Sequence, residues 1–315
     1  MKPDEVVICD DVSKDDTVSK IRQYASKSTL NIRLIQNEKN LGYPWNFQQA
    51  ISLCEGQVIF LCDQDDIWNK NKVQRMLEEF ECDEQLVFLF TDARVVNANR
   101  EVFAKSLWEK GWTGRGYKWD KLDNQEYFNL FITGKYPPGC LAAVRKEFVC
   151  KIIPFPTLHD RWIASCAAGF GNIKAIKETL IDYRRHSGNT TETVTVETKK
   201  CKGPIYRLRA IRELLSNSYE DHFVYPTSLY EVTSAAYKYV RDGKNSLDMT
   251  YMEDQMTYLK SISDAKNQGI VSRIQMIRKL SKTGLYNRFR SESHNLYRID
   301  TAFLVINAFK RKKNR

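Results

Sequence analysis

Apolar residues along this chain alternate between short runs and helical spacing. The run EVVIC at 5–9 reads as a strand that ends on Asp10 and Asp11. Behind a polar turn, Val18, Ile21 and Tyr24 fall on one helix face. Residues 31–35 read as a second strand. In 37–45, NEKNLGYPW, Gly42 and Pro44 interrupt regular structure; Phe47, Ala50, Ile51 and Cys54 then recur at i, i+3, i+4 and i+7, a second helix. A third run, VIFLC at 58–62, reads as a strand buried on both faces. Strand, helix, strand, helix, strand is the order of a mostly parallel α/β sheet.

Val73, Leu77 and Phe80 predict a helix over 69–80, and 85–90 reads as a strand running to Thr91 and Asp92. Residues 94–123 carry Trp108, Trp112, Tyr117, Trp119 and three glycines and read as a long loop or lid. Exposed tryptophans there would point to binding; half-buried packing of the same rings is the alternative. A Gly/Pro turn leads into an apolar strand within 132–144, ITGKYPPGCLAAV. The stretch 158–167, LHDRWIASCA, starts a helix with Trp162, Ile163 and Cys166 inward, and 173–182 reads as a strand before a polar turn at Tyr183, Arg184, Arg185 and His186. From about residue 200 the spacing is helical: 207–215, 228–241, 251–265, and a segment with Val271, Ile274, Ile277 and Leu280 on one face and Arg273, Arg278, Lys279 and Lys282 on the others.

Charge supports the same division. The net charge is +10, yet residues 1–200 carry 28 Lys+Arg against 28 Asp+Glu, while 201–315 carry 21 against 11. With no repeat and no Pro/Gly/Ser linker, the expected domains are 1–199 and a basic helical region, 200–315. That region suits peripheral association with an anionic membrane, or simply a core-packing helix layer with a wet basic side; nucleic-acid binding is the less favoured reading. The eight cysteines, without CxxC or Cys/His ligand spacing, read as reduced thiols. No signal peptide opens the chain and no apolar run reaches the roughly 18 residues of a membrane span, so a cytoplasmic site of action, up to the inner face of the membrane, is expected.

Candidate chemistry concentrates where the run at 58–62 meets Asp63, Gln64, Asp65 and Asp66. Three carboxylates within four residues repel one another, and grouping them at the C-terminal end of a strand suits a divalent metal holding a phosphate-bearing ligand. The bland alternative is a solvated turn with Asp66 capping the next helix. Asp160, in a first helical turn, reads by itself as a cap or dipole partner.

Taken together, VVICDDVSKDDT (6–17), NEKNLGYPWNFQQAI (37–51), IFLCDQDDIWNKNKV (59–73), LHDRWIA (158–164) and YRRHSGN (183–189) have the order and spacing of a known family. Over roughly residues 1–190 the chain resembles the family 2 glycosyltransferases, α/β proteins of the GT-A fold, in particular the rhamnosyltransferase-like branch of bacterial surface-polysaccharide synthesis. The resemblance implies inverting, metal-dependent transfer from a nucleotide-sugar donor to a saccharide or lipid-linked acceptor. It makes Asp11 an acceptor of hydrogen bonds from the nucleotide base, sets Asn40, Gly42 and Asn46 where a loop crosses the nucleotide, and puts Asp63 on the ribose side. Asp65 becomes the ligand of Mg²⁺ or Mn²⁺, with His186 near the metal or diphosphate and Arg184 and Arg185 offsetting phosphate charge. Asp160 becomes the base that takes the acceptor's proton, displacing the cap reading, with His159 as support.

Two departures stand out. Family members have a further strand and crossover helix, about 30 residues, before the strand matching 5–9. Its neighbours are therefore expected to lack a partner and the donor site to be partly open, which makes a catalytically impaired remnant the alternative function. Arg161 stands where a second aromatic is common. A haloacid-dehalogenase-like phosphatase also begins with a strand and DxD, but needs a later Lys and acidic pair, whereas Asp92 and Asp160 stand alone.

Overall fold

The computed structural model describes residues 1–110, 117–186, 221–243, 245–264, 268 and 270–289. The chain divides into two compact units, Met1–Asn189 with Lys238–Leu247, and Thr190–Tyr237 with Asp248–Arg315. The boundary expected at 199/200 lies outside the described residues, as do the helix expected at 207–215, Trp112 and the basic end of the chain.

The first unit opens with β1 (Val6–Asp10), α1 (Thr17–Ala25), β2 (Ile32–Gln36), α2 (Tyr43–Leu53) and β3 (Val58–Phe60), in the expected order. β1 and β2 pair in parallel, Val6 on Ile32 through Asp10 on Gln36, as a sheet of two strands. The remaining strands are β4 (Ile67–Trp68), β5 (Leu86–Asn97), β6 (Val102–Ala104), β7 (Ala142–Arg145) and β8 (Asn172–Arg185), and the larger sheet has the order β3-β7-β5-β8-β4 with β6 beside β5. β5 and β8 are parallel, whereas β7 runs antiparallel to both β3 and β5, and β4 antiparallel to β8. The sheet is mixed rather than mostly parallel. A strand buried on both faces shows the same apolar run in either direction, so composition does not reveal its polarity.

Among the described residues β1 pairs only with β2 and β3 only with β7, so each keeps one open edge. Val6 to Cys9 are half-buried, as are Val58 and Phe60, and Cys62 is exposed, correcting the reading of a strand buried on both faces. Side chains tether the small sheet instead. Glu5 accepts from the Glu55 and Gly56 backbone N–H groups and pairs with Arg33, whose guanidinium also reaches the Leu53 carbonyl at 3.0 Å.

The core lies on β5. One cluster joins Met76, Phe80, Leu86, Leu89, Ala143, Ile176 and Leu180, with Met76 and Phe80 supplied by α3 (Lys72–Cys82). Phe90 meets Trp108, Trp119, Tyr127 and Phe131 edge-on. Trp108 and Trp119 are thus core residues, and the lid reading fails for them: β5 runs on to Asn97, and β6 and α4 (Leu107–Lys110) occupy much of the expected loop. Two helices go beyond the sequence reading, α5 (Asn124–Ile132) and α6 (Lys146–Lys151); α5 starts with a capping box between Asp123 and Glu126. Tyr183 to Arg185 are strand, not turn. Against α7 (His159–Phe170), Asn245 Nδ2 donates to the Ala168 and Gly171 carbonyls at 2.8 Å, so the segment Lys238–Leu247 closes this unit.

The second unit has its own core of Leu229, Tyr258, Leu259, Ile262, Leu280 and Phe289. Leu280 is buried while Arg278, Lys279 and Lys282 are exposed; the side chains of Val271, Arg273, Ile274 and Ile277 lie outside those described. No helix among the described residues is long and apolar enough to cross a membrane.

Candidate active site

The C-terminal ends of β1 and β3 and the start of α7 carry the candidate residues. Past β1 the backbone turns through Val12, a non-glycine residue at φ 67°, and the Asp11 carboxylate faces the loop before α2. Its Oδ1 accepts from Leu41 N–H at 2.7 Å and Asn37 Nδ2 at 2.9 Å, its Oδ2 from Gly42 N–H at 2.8 Å. Those bonds outweigh the cost of burial and hold its pKa below the ordinary value. Gly42 takes φ 81°, a conformation glycine adopts at no steric cost, and Pro44 sits in the first turn of α2; together they begin the helix. Asn40 Nδ2 donates to the Asp11 carbonyl, and Asn46 spans from the Cys9 carbonyl to Asn37. The structure therefore brings Asp11, Asn40, Gly42 and Asn46 into one network, with Asn37 and Gln49 as further members.

The acidic loop follows β3. Asp65 Oδ2 lies 2.8 Å from His186 Nε2, joining the two residues read as the metal site. Asp66 Oδ1 accepts from Arg184 N–H at 2.9 Å, so it ties the loop to β8; Asn71, not Asp66, occupies the N-cap of α3. Its Oδ2 is buried with no hydrogen-bond partner. Burial first, then the charges of Asp66 and Asp65, push the Asp63 carboxyl up to about 7. The Cys140 thiol is itself driven well above its usual range by burial and stays protonated. Asp63, Asp66 and Cys140 present donor atoms all within 4.8 Å of one another. Carboxylates, an orphaned carboxylate oxygen and an imidazole, without a thiolate, fit a hard divalent cation.

Asp160 sits in the first turn of α7. It accepts from the Arg161 N–H at 2.7 Å, and burial pushes its pKa up to about 6. Its charge adds to the upward shifts of Asp63 and Tyr43, behind burial in both. His159 is 5% exposed, stacks on Phe47 at 4.0 Å, and is kept neutral by burial, its pKa near 3. A Cβ on Gly139 would lie 2.7 Å from His159 Nε2 and 3.6 Å from Asp160 Cβ, so this position requires close backbone approach. The Arg161 guanidinium is also buried, its Nε and Nη2 without a partner.

Lys72 escaped the sequence reading. It is fully buried at the start of α3, donates to the Cys140 carbonyl at 2.8 Å and lies 4.0 Å from the centre of the Trp68 ring. Its position with Val73, Met76 and Phe80 on the buried face of α3 is the sequence signal that could have found it.

A family model described as glycosyl transferase family 2 matches residues 1–152. An uncharacterized glycosyltransferase of Nostoc sp. is 26% identical over 193 residues, 59% of this chain and 56% of that protein, so the chain spans about half the length of this relative. The Escherichia coli protein WfgD, a UDP-Glc:alpha-D-GlcNAc-diphosphoundecaprenol beta-1,3-glucosyltransferase, is 27% identical over 201 residues, 62% of this chain and 71% of its own. Among solved structures, S. aureus TarS 1-349 in complex with UDP aligns with a TM-score of 0.51 at 16% identity, covering 82% of this chain and 63% of that one. This likeness is one of fold.

Proposed function

We propose, for a chain that belongs to glycosyl transferase family 2 through residues 1–152, that it transfers a sugar from a nucleotide-diphosphate donor to a saccharide or lipid-linked acceptor with inversion at the anomeric carbon. The observation that carries this reading is the meeting of Asp65 with His186: residues 121 apart in sequence lie with Oδ2 2.8 Å from Nε2, at the end of the acidic loop. Asp11, Asn40, Gly42 and Asn46 frame the nucleotide, and Asp63 faces its ribose. A Mg²⁺ or Mn²⁺ ion held by Asp65 and His186 would offset the charge of the departing nucleoside diphosphate. Asp160 takes the proton of the acceptor hydroxyl as that oxygen attacks. His159, neutral and apolar in its surroundings, shapes the wall behind Asp160 without exchanging protons.

WfgD supports an acceptor linked to a lipid diphosphate, a class that a basic region near an anionic membrane would also suit. A second reading, a nucleotide-binding protein with impaired turnover, draws on the open edges of β1 and β3.

The test separates binding from chemistry. Titration of UDP, GDP and dTDP with Mn²⁺ by calorimetry should find one that binds wild type and not Asp65→Ala. Asp160→Asn should bind that nucleotide like wild type while transfer from the corresponding sugar nucleotide drops by at least about a thousandfold. Near-normal transfer by Asp160→Asn would remove it as the base. Binding without any transfer by wild type would favour the second reading.

A further inference from the structure

We propose that Lys72 is the built-in cation of the donor site, a positioning residue that sets the formal charge of the acidic loop and pins that loop to the turn packed against Asp160. This rests on the donor-site reading above.

A lysine is rarely buried completely unless something compensates its charge. Lys72 is 0% exposed, and it sits in the first turn of α3, where the helix dipole disfavours a cation. Elsewhere on this helix burial goes to Val73, Met76 and Phe80, so packing alone would be met by another apolar residue. Compensation comes from three directions. The Cys140 carbonyl accepts its ammonium at 2.8 Å, the Trp68 ring covers it at 4.0 Å, and Asp66 and Asp63 act on its charge. All four of these residues belong to the site: Asp63 and Asp66 to the acidic loop, Trp68 to β4 directly after it, and Cys140 to the turn Gly139–Leu141, whose glycine packs against His159 and Asp160.

Two consequences follow. With all three ionised around a bound cation, Asp63, Asp65 and Asp66 carry a formal charge of −3, and with Lys72 the loop becomes −2, matched by one divalent cation. The diphosphate of an incoming donor then meets a site without excess negative charge. Lys72 also bridges the donor side and the base side by one hydrogen bond.

Lys72→Met keeps length and removes charge and donor; Lys72→Gln removes the charge and keeps an N–H for the Cys140 carbonyl. Binding of Mn²⁺ alone, followed by its electron paramagnetic resonance, should be at least as tight in both variants as in wild type, because a repelling charge is gone. In saturating Mn²⁺, the nucleoside diphosphate that wild type binds, among UDP, GDP and dTDP, should bind about tenfold or more weakly to both. Loss of Mn²⁺ and nucleotide affinity together would assign Lys72 to structure alone, and unchanged nucleotide affinity in Lys72→Gln would dismiss the charge role. Should Lys72→Met fail to fold, as judged by circular dichroism, the Gln variant carries both readouts. Wild type binding none of the three nucleotides would overturn the donor-site reading and this inference with it.

Discussion

At the scale of single residues, the role proposed for Asp160 draws on an environment that spacing alone leaves open. By position it is an ordinary first-turn acid; by surroundings it is a carboxyl raised to about 6 by burial and packed against the Gly139 turn. A base works only in its ionised form, so kcat/KM should climb about tenfold per pH unit below pH 6 and level off above it. A profile flat down to pH 4.5 would exclude Asp160 as the group that titrates. The charge of Arg161 favours the carboxylate, and Arg161→Met should move the inflexion to higher pH. Stability runs the other way. The folded protein binds this proton more tightly than the unfolded chain does, so stability falls as pH rises from the ordinary carboxyl value near 3.8 through 6. Asp160→Asn should therefore leave Tm at pH 7 unchanged or raised, which separates its loss of turnover from any loss of fold. The motif made Asp160 legible in the sequence, whereas Lys72 was hidden because a lysine among Asn69, Lys70 and Asn71 looks like surface until its place beside Val73, Met76 and Phe80 is counted.

At the scale of elements, what the alternation of apolar and polar positions conveyed was the order β1 to β3 with their helices, α7 and the long apolar strands. It did not convey strand direction, because β7 and β5 present the same apolar run whichever way they pair. The capping box DNQE of α5 was present at 123–126 but was overshadowed by the aromatic stretch before it, whose Trp108 and Trp119 belong to the core around Phe90. Nor does periodicity announce the turn Gly139–Leu141, although this small element accepts Lys72 on one side and packs against Asp160 on the other. Its glycine is the sensitive point. Gly139→Ala would drive a methyl to 2.7 Å from His159 Nε2, and the neighbour must yield. Since His159 is wedged on Phe47, the start of α7 should shift and carry Asp160 with it. The expected result is a fall in kcat of about a hundredfold with little change in nucleotide affinity, given the sensitivity of reacting groups to misplacement of about 1 Å. Equal losses in both would mean that the turn supports the donor site generally instead of the base.

At the scale of the whole molecule, the first unit combines a tight sheet with a loosely held strand pair, and the candidate site draws on both. β5 is covered by β7 and β8 and is nearly wholly buried from Leu86 to Ala93, whereas Val6 to Cys9 of β1 are half-buried and bonded to one neighbour. The pair is held at its ends, by Glu5 with Arg33 at one and by Asp11, Asn37 and Asn46 at the other. End tethers restrain a strand without the apolar burial that makes opening costly. Hydrogen exchange at pH 7 should therefore find the β5 and β8 amides slowest, with the β1 and β2 amides exchanging at least about a hundredfold faster. Equal protection would mean that the strand pair unfolds only with the main sheet. Nucleoside diphosphate with Mn²⁺ should narrow the gap, because the network through Asp11 and Asn46 ends at the proposed nucleotide loop and a ligand there adds stability to every opening that breaks the loop. If bound nucleotide left β1 and β2 unprotected while slowing exchange around Asp63 to Asp66, the donor site would be confined to the acidic loop, and Asp11 would be a loop brace with no part in binding.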